Sequence, residues 1–344
     1  MKEVNLAKKV ILSNFSYLKL PYKLTFAVSY KCNSKCQICQ IWKKGPEKEL
    51  SIEEIKKFFQ KNNFFNWVDL TGGEVFLHSN IYEICKEIIN NCNNLYLLHI
   101  PTNGLLPERI EKEVEKILKL KPSKFIISIS MDGPSNTHDK LRGIKGNWLK
   151  AVDTYSRLKK IKNRNFEVYF GMTLSGHNYK LIEKTYKSLK KVIPSLKRND
   201  LHFNIAHHSS FYYSNPKVNL GLEKNINVEL QEFNIKKVKK FSGVSFLESR
   251  YQKLIPKYLK TEKTPLPCSA LNSSLFIDPH GYVYPCLIWN KKIANLKDYD
   301  FDLGKLLKNS NISEIRKLIR LNKCISCWTP CEAYQTILAN LTRI

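Results

Sequence analysis

Cys32, Cys36 and Cys39 lie in one short segment, Tyr30-Lys-Cys-Asn-Ser-Lys-Cys-Gln-Ile-Cys-Gln40. Three thiolates this close can hold three irons of a cubane cluster and leave the fourth without a protein ligand. Clusters dedicated to electron transfer take four cysteines, so the triad predicts a cluster whose open iron binds an exogenous ligand and does chemistry. Zinc is the plain alternative, but structural zinc takes four ligands, commonly from paired knuckles. No fourth partner or second knuckle lies nearby.

A second cysteine group closes the chain. Cys268 is followed after twelve residues by Gly281 and after four more by Cys286, and Cys324-Ile-Ser-Cys327-Trp-Thr-Pro-Cys331 lies beyond. On residues alone, four of these thiolates satisfy tetrahedral zinc or a fully coordinated cluster equally well. Cys85 and Cys92 have no ligand partner at useful spacing and read as small apolar core residues.

The CxxxCxxC spacing resembles the signature of the radical S-adenosylmethionine (SAM) family. In that family the open iron binds the amino and carboxylate groups of SAM, and the reduced cluster cleaves it to a 5′-deoxyadenosyl radical that abstracts hydrogen from substrate. The family usually has an aromatic residue before the third cysteine. Ile38 stands there instead, which bears on the adenine contact and not on the cluster. Gly72-Gly73-Glu74, 33 residues beyond the third cysteine, is similar to the family motif that holds the SAM amino group, and glycine lets backbone approach a ligand closely. Ser128, Ser130 and Asp132 share one face by strand alternation. The resemblance implies that polar residues there contact the ribose or the SAM carboxylate, Ser130 foremost. Residues 131–143 look like the family's DGP…H-D…R-G segment, which makes Arg142 the implied guanidinium for the SAM carboxylate and His138 a turn cap. Thr102 and Asn103 are implied to shape the pocket.

The C-terminal spacing resembles the opening of SPASM domains, which bind auxiliary iron–sulfur clusters. Five cysteines instead of seven or more bring it closer to the truncated variant called Twitch. The resemblance implies a second [4Fe-4S] cluster held by Cys268, Cys286, Cys324 and Cys327, with Cys331 as a spare or a substitute.

The elements that position these residues read as repeated βα units. Short β-branched or aromatic runs at 24–30, 67–71, 95–101, 124–131, 166–174 and 201–206 alternate with amphipathic stretches, the pattern of a parallel sheet. Ser51 and Glu54 form a capping box for a helix through Phe59, and residues 108–120 repeat apolar positions at helical spacing. Six units predict an α/β fold, a partial (β/α)6 TIM-like barrel, with a small C-terminal cysteine-rich α+β module in which 282–285 forms a hairpin strand. The unusual residues fall after five of the six strands, where α/β enzymes place their chemistry. Asn204, His207 and His208, with Tyr212 and Tyr213, follow the sixth strand and are candidate substrate residues. The organisation is an N-terminal extension over 1–22, a core over 23–219, a helical linker over 220–264 and the cysteine module over 265–344.

The 344 residues carry a formal net charge of +27. This suits an anionic partner, but the lysines scatter along helices and no RNA-binding module appears, so nucleic acid is allowed without a supporting motif. No apolar run spans a membrane, no secretory signal is evident, and tightly grouped cysteines suit a reducing cytoplasm. The expected partners are an electron donor of flavodoxin or ferredoxin type and a peptide or small-molecule substrate. The expected reaction is hydrogen abstraction followed by oxidation, with the second cluster in electron transfer. The alternatives are an RNA or nucleotide substrate beside a structural zinc module, or a metal-carrying assembly protein without activity. The chain ends Leu341-Thr-Arg-Ile344, without the terminal Gly-Gly of the molybdenum cofactor cyclase, a near relative.

Overall fold

The structure, a computed structural model, describes residues 1–45, 47–222, 225–238, 242–308 and 311–343. Helix α1 (Lys2–Phe15) precedes six strands: β1 (Lys23–Ser29), β2 (Trp67–Gly72), β3 (Leu97–Thr102), β4 (Lys124–Ser130), β5 (Phe166–Leu174) and β6 (Leu201–Ile205). Between them run α2 (Ile52–Lys61), α3 (Ile81–Asn91), α4 (Pro107–Lys119), α5 (Ser135–Arg142), α6 (Asn147–Lys160) and α7 (Ile182–Val192). Then come α8 (Ile226–Ile235), α9 (Gly243–Thr261), strands β7 (Ser274–Ile277), β8 (Tyr282–Tyr284) and β9 (Ala294–Asn295), and helices α10 (Leu303–Leu307), α11 (Asn311–Arg320) and α12 (Pro330–Leu338). The partial α/β barrel expected from the six runs is the fold observed. The third strand starts at Leu97 because Leu95 is drawn into a turn, its amide donating to Cys92 O at 2.8 Å.

The nine strands form one sheet in the order β6-β5-β4-β3-β2-β1-β7-β8-β9. The cysteine-rich region is therefore not a separate satellite. β7 pairs parallel with β1, Lys23 opposite Ser274 and Phe26 opposite Ile277, and the expected hairpin strand β8 pairs antiparallel with β7. Flanked by β2 and β7, β1 is buried along its whole length, as expected of a central parallel strand. At α2 the capping box forms, with Glu54 N donating to Ser51 Oγ at 3.2 Å and Ser51 N to Glu54 Oε2 at 2.8 Å. The N-terminal extension is a docked helix. Asn14 of α1 donates to Leu338 O and accepts from Leu341 N, both at 2.8 Å. No helix among the described residues is long and apolar enough to cross a membrane.

Candidate active site

The cysteine loop after β1 is clamped through its backbone. Lys35 N donates to Arg142 O and Gln37 N to Leu141 O at the end of α5, while Asn215 Nδ2 donates to Ile38 O from the loop after β6. Cys36 is buried and Cys32 and Cys39 half-buried. Burial pushes the Cys32 thiol up to about 11 and that of Cys39 to about 12, so the loop holds thiols until a cation claims them.

Gly72 and Gly73 are dictated by this loop. A Cβ on Gly72, which sits at φ +130°, would lie 2.0 Å from Ser29 O, and one on Gly73 would lie 2.1 Å from Lys31 O. Gly73→Ala therefore displaces the backbone that carries the cysteines. The expected cost is about 1–3 kcal/mol of stability together with weakened SAM binding, read by thermal unfolding and by equilibrium binding to the reconstituted protein.

Glu74 is placed differently from its expected role at the SAM amino group. It is 2% exposed and accepts from Phe76 N at 3.1 Å, Thr102 Oγ1 at 2.8 Å and Asn103 N at 2.7 Å. It fastens the end of β2 to the end of β3 and does not line the cavity. Asp132 is likewise occupied, bonded to Arg142 Nη2 at 2.6 Å and accepting from Thr173 N at 2.9 Å. His138 accepts from Asp132 N at 3.0 Å, so it secures the end of β4 instead of capping the turn that follows.

Arg142 does reach the site. Burial opposes its charge, but Asp132 and Cys36 outweigh burial and hold the guanidinium protonated. Nη1 lies 3.7 Å from Cys36 Sγ, and Nε is buried without a partner. Both Arg142 and the cysteine triad line a cavity of about 310 Å³ at the barrel mouth. Gly72, Gly73, Ser128, Ser130, Asn204 and His207 line it too, whereas Glu74, Asp132 and His208 do not. His207 is committed to packing: its Nε2 accepts from Trp328 N at 2.8 Å and its Nδ1 meets Ile205 O at 2.8 Å. Burial lowers its pKa to about 4, so the neutral ring joins β6 to the C-terminal region. His208 is exposed and meets Asn215 O at 3.0 Å.

The motif reading overlooked His99, Tyr169 and His202, which line the same cavity. Strand parity is the signal that finds them. Pro101 pairs with Ser128, Ser128 with Tyr169, Ser130 with Gly171, Gly171 with His202 and Thr173 with Asn204. One inward face thus runs through four strands, and His99 lies two residues before Pro101 on the same face.

Among the lining residues, Ser34 Oγ, Trp42 Nε1, Arg142 Nε, Asn204 Oδ1 and Thr329 Oγ1 are buried without a hydrogen-bond partner. Buried polar atoms are nearly always paired. Five orphans around one cavity fit a polar ligand that supplies their partners.

The C-terminal cysteines divide. Burial first, then Glu332 and Cys324, pushes Cys268 up to about 12; Cys286 is raised by burial, Glu332 and Cys327, and Cys327 by burial, Cys268 and Glu332. Cys331 lines the central cavity with the triad, apart from the other four, and the charges acting on it belong to Lys23, Asp69 and Glu332. Among the described residues no three Cys, His, Asp or Glu side chains converge on a single ion. Thiolates sharing one zinc sit about 4 Å apart, given its 2.3 Å tetrahedral bonds.

A model of the radical SAM superfamily matches residues 26–189, and a model of SPASM, an iron–sulfur cluster-binding domain, matches residues 268–328. The chain belongs to the radical SAM superfamily. Membership brings a [4Fe-4S] cluster and SAM to the barrel and further iron–sulfur to the SPASM region. The clamped thiols and the orphaned polar atoms fit those groups. This radical SAM chain is 26% identical over 296 residues to the antilisterial bacteriocin subtilosin biosynthesis protein AlbA of Bacillus subtilis (strain 168), covering 85% of the chain and 58% of AlbA. It is 32% identical over 163 residues to the sporulation killing factor maturation protein SkfB of the same strain, covering 46% of the chain and 37% of SkfB. It therefore spans little more than half of AlbA. Streptococcus suis SuiB bound to its precursor peptide SuiA shares the fold, with a TM-score of 0.61 at 15% identity over 97% of this chain and 74% of SuiB.

Proposed function

We propose that the protein is an enzyme that oxidises a peptide by hydrogen abstraction, with Cys32, Cys36 and Cys39 holding the SAM-binding cluster. Cys268, Cys286, Cys324 and Cys327 hold an auxiliary [4Fe-4S] cluster that accepts an electron. The observation that carries this reading is the single cavity shared by the cysteine triad, the inward strand residues and the five orphaned polar atoms. When bound, the cluster and SAM supply a 5′-deoxyadenosyl radical that takes a hydrogen atom from the substrate.

The chain's own part is to bind, orient and keep water out. Arg142 Nε, the one guanidinium nitrogen left without a partner, takes the SAM carboxylate together with Ser130 through a charge-assisted hydrogen bond. With Glu74 committed elsewhere, the Gly72-Gly73 backbone is left to meet the SAM amino group. Tyr212 OH, bonded to Thr71 Oγ1 at 2.6 Å and to Gly72 N at 3.2 Å, locks the loop after β6 over the glycines. Asn204 and Thr329 offer unpaired oxygens to substrate from opposite elements, β6 and the turn before α12. A metal carrier has no use for such a chamber, and a nucleic-acid substrate has only the net charge in its favour. A peptide substrate is supported by the likeness to AlbA and SkfB, proteins named for bacteriocin biosynthesis and killing-factor maturation. A flavodoxin- or ferredoxin-type donor and a reducing cytoplasm complete the proposal.

The test is anaerobic reconstitution with iron and sulfide, then SAM and dithionite with short peptides encoded beside the protein's own gene. Formation of 5′-deoxyadenosine with loss of two hydrogens from one peptide is expected. Peptides left unchanged while an RNA is modified would sink the reading. For the auxiliary set, Cys331→Ala should retain all the iron, whereas Cys324→Ala should lose about four atoms per chain; equal losses by iron analysis would return Cys331 to the ligand set.

A further inference from the structure

Asp69, His99 and Ser128 stand on β2, β3 and β4, and no step above uses them. Asp69 is paired in register with His99. His99 Nδ1 lies 3.3 Å from Asp69 Oδ1, and His99 Nε2 lies 2.9 Å from Ser128 Oγ. Behind them, Lys23 Nζ lies 3.0 Å from Asp69 Oδ2, and Trp67 Nε1 donates to Asp69 Oδ1 at 2.7 Å. His99 and Ser128 line the cavity; Asp69, 6% exposed, lies behind them.

We propose that this row is a proton relay in the floor of the chamber, in which His99 takes a proton from the substrate through Ser128 while Asp69 positions the imidazole. The proposal rests on reading the cavity as the reaction chamber. Removing a hydrogen atom and an electron from a substrate leaves one proton to discard. In the relay an acidic X–H bond of the substrate breaks and its electron pair stays on X. The proton passes to Ser128 Oγ as the serine's own proton moves to His99 Nε2. No oxidant beyond the electron acceptor already proposed is needed.

The hydrogen bonds set the direction. Burial would neutralise Asp69, but Lys23 and then His99 outweigh burial and keep its carboxylate ionised. An ionised Oδ1 can only accept, so the proton between them belongs to His99 Nδ1. In the neutral ring Nε2 is then the acceptor, Ser128 donates to it, and the serine lone pairs are left for the cavity. Neutralising buried Lys23 explains Asp69 Oδ2 but leaves unexplained why the far nitrogen of His99 is turned to a cavity hydroxyl. The titratable groups facing this row are Lys23 on β1, Asp69 on β2, Tyr169 on β5, and Cys331 and Glu332 on α12. Ser128, expected at SAM, thereby takes a different role, and Ser130 retains the expected one.

Two measurements test the relay in the reconstituted protein. Long-range 1H–15N spectra with 15N-histidine should show His99 as the Nδ1–H tautomer, with that preference lost in Asp69→Asn; an Nε2–H tautomer in the wild type overturns the proposal. With a peptide that the assay above shows to be modified, product formed per 5′-deoxyadenosine should fall about 100-fold in His99→Ala and recover with added imidazole. A purely structural histidine would not be rescued. An unchanged product ratio overturns the relay. If deoxyadenosine forms and no peptide is modified, the functional reading fails and the tautomer alone decides the relay.

Discussion

Replacing Cys32, Cys36 and Cys39 together by alanine is expected to lower reconstituted iron from about eight atoms per chain to about four and to abolish 5′-deoxyadenosine formation. The loop is held by main-chain bonds from Lys35 and Gln37 to α5 and by Asn215 Nδ2 on Ile38 O, none of which needs a thiol. The variant therefore loses ligands while keeping its fold and its second cysteine group. Iron and sulfide analysis with chromatography of the nucleoside reads both effects. Iron unchanged at about eight would assign the cluster to other residues, and a fall to zero would show one shared site in place of two.

The largest effect on stability is expected at Lys23. This side chain is fully buried and joins β1 to two other elements, meeting Asp69 on β2 at 3.0 Å and, on α12, Cys331 O at 2.6 Å and Gln335 Oε1 at 3.1 Å, with its ammonium 4.5 Å from the centre of the Trp67 ring. Lys23→Met leaves Asp69 buried without its cation, and breaking such a pair costs about 3–5 kcal/mol, a large share of the stability of an ordinary domain. The sign with pH follows. In the wild type Asp69 is held below the usual carboxylate range, so its contribution is present above the unfolded carboxylate's pKa and is lost as pH falls through the lower folded value. In Lys23→Met burial acts with much weaker compensation and raises Asp69, so the deficit is greatest near neutrality and narrows as the solution becomes acid. Adding Asp69→Asn should recover much of the loss. Denaturant unfolding of the two single variants and the double variant measures this, and simple additivity would count against the pairing.

The parts of the site legible in the sequence were those fixed by local spacing. CxxxCxxC, the glycine pair and the six strand runs each declare themselves within a few residues, and all fall where local rules put them. The roles of individual polar groups were not legible, because distant partners decide them. Glu74 looks like a ligand carboxylate until Thr102 and Asn103, at and just past the end of the next strand, satisfy it. Asp132 looks free until Arg142 folds back onto it. His207 is adjacent to His208 in the chain, but Trp328 N reaches only the first. His99, Tyr169 and His202 belong to no motif, and only the alternation of their strands marks them. Strand β7 has four residues, and its partner β1 lies far back in the chain, beyond any local pattern.

That pairing bears on how such a protein can be cut or recombined. A chain ended before β7 would present β1 as a raw sheet edge of unpaired amides and carbonyls, a template for aggregation. The cysteine-rich region is thus no cassette that can be traded at a linker. A protein engineer who wants to change its clusters should substitute single cysteines on strands and turns that stay in place.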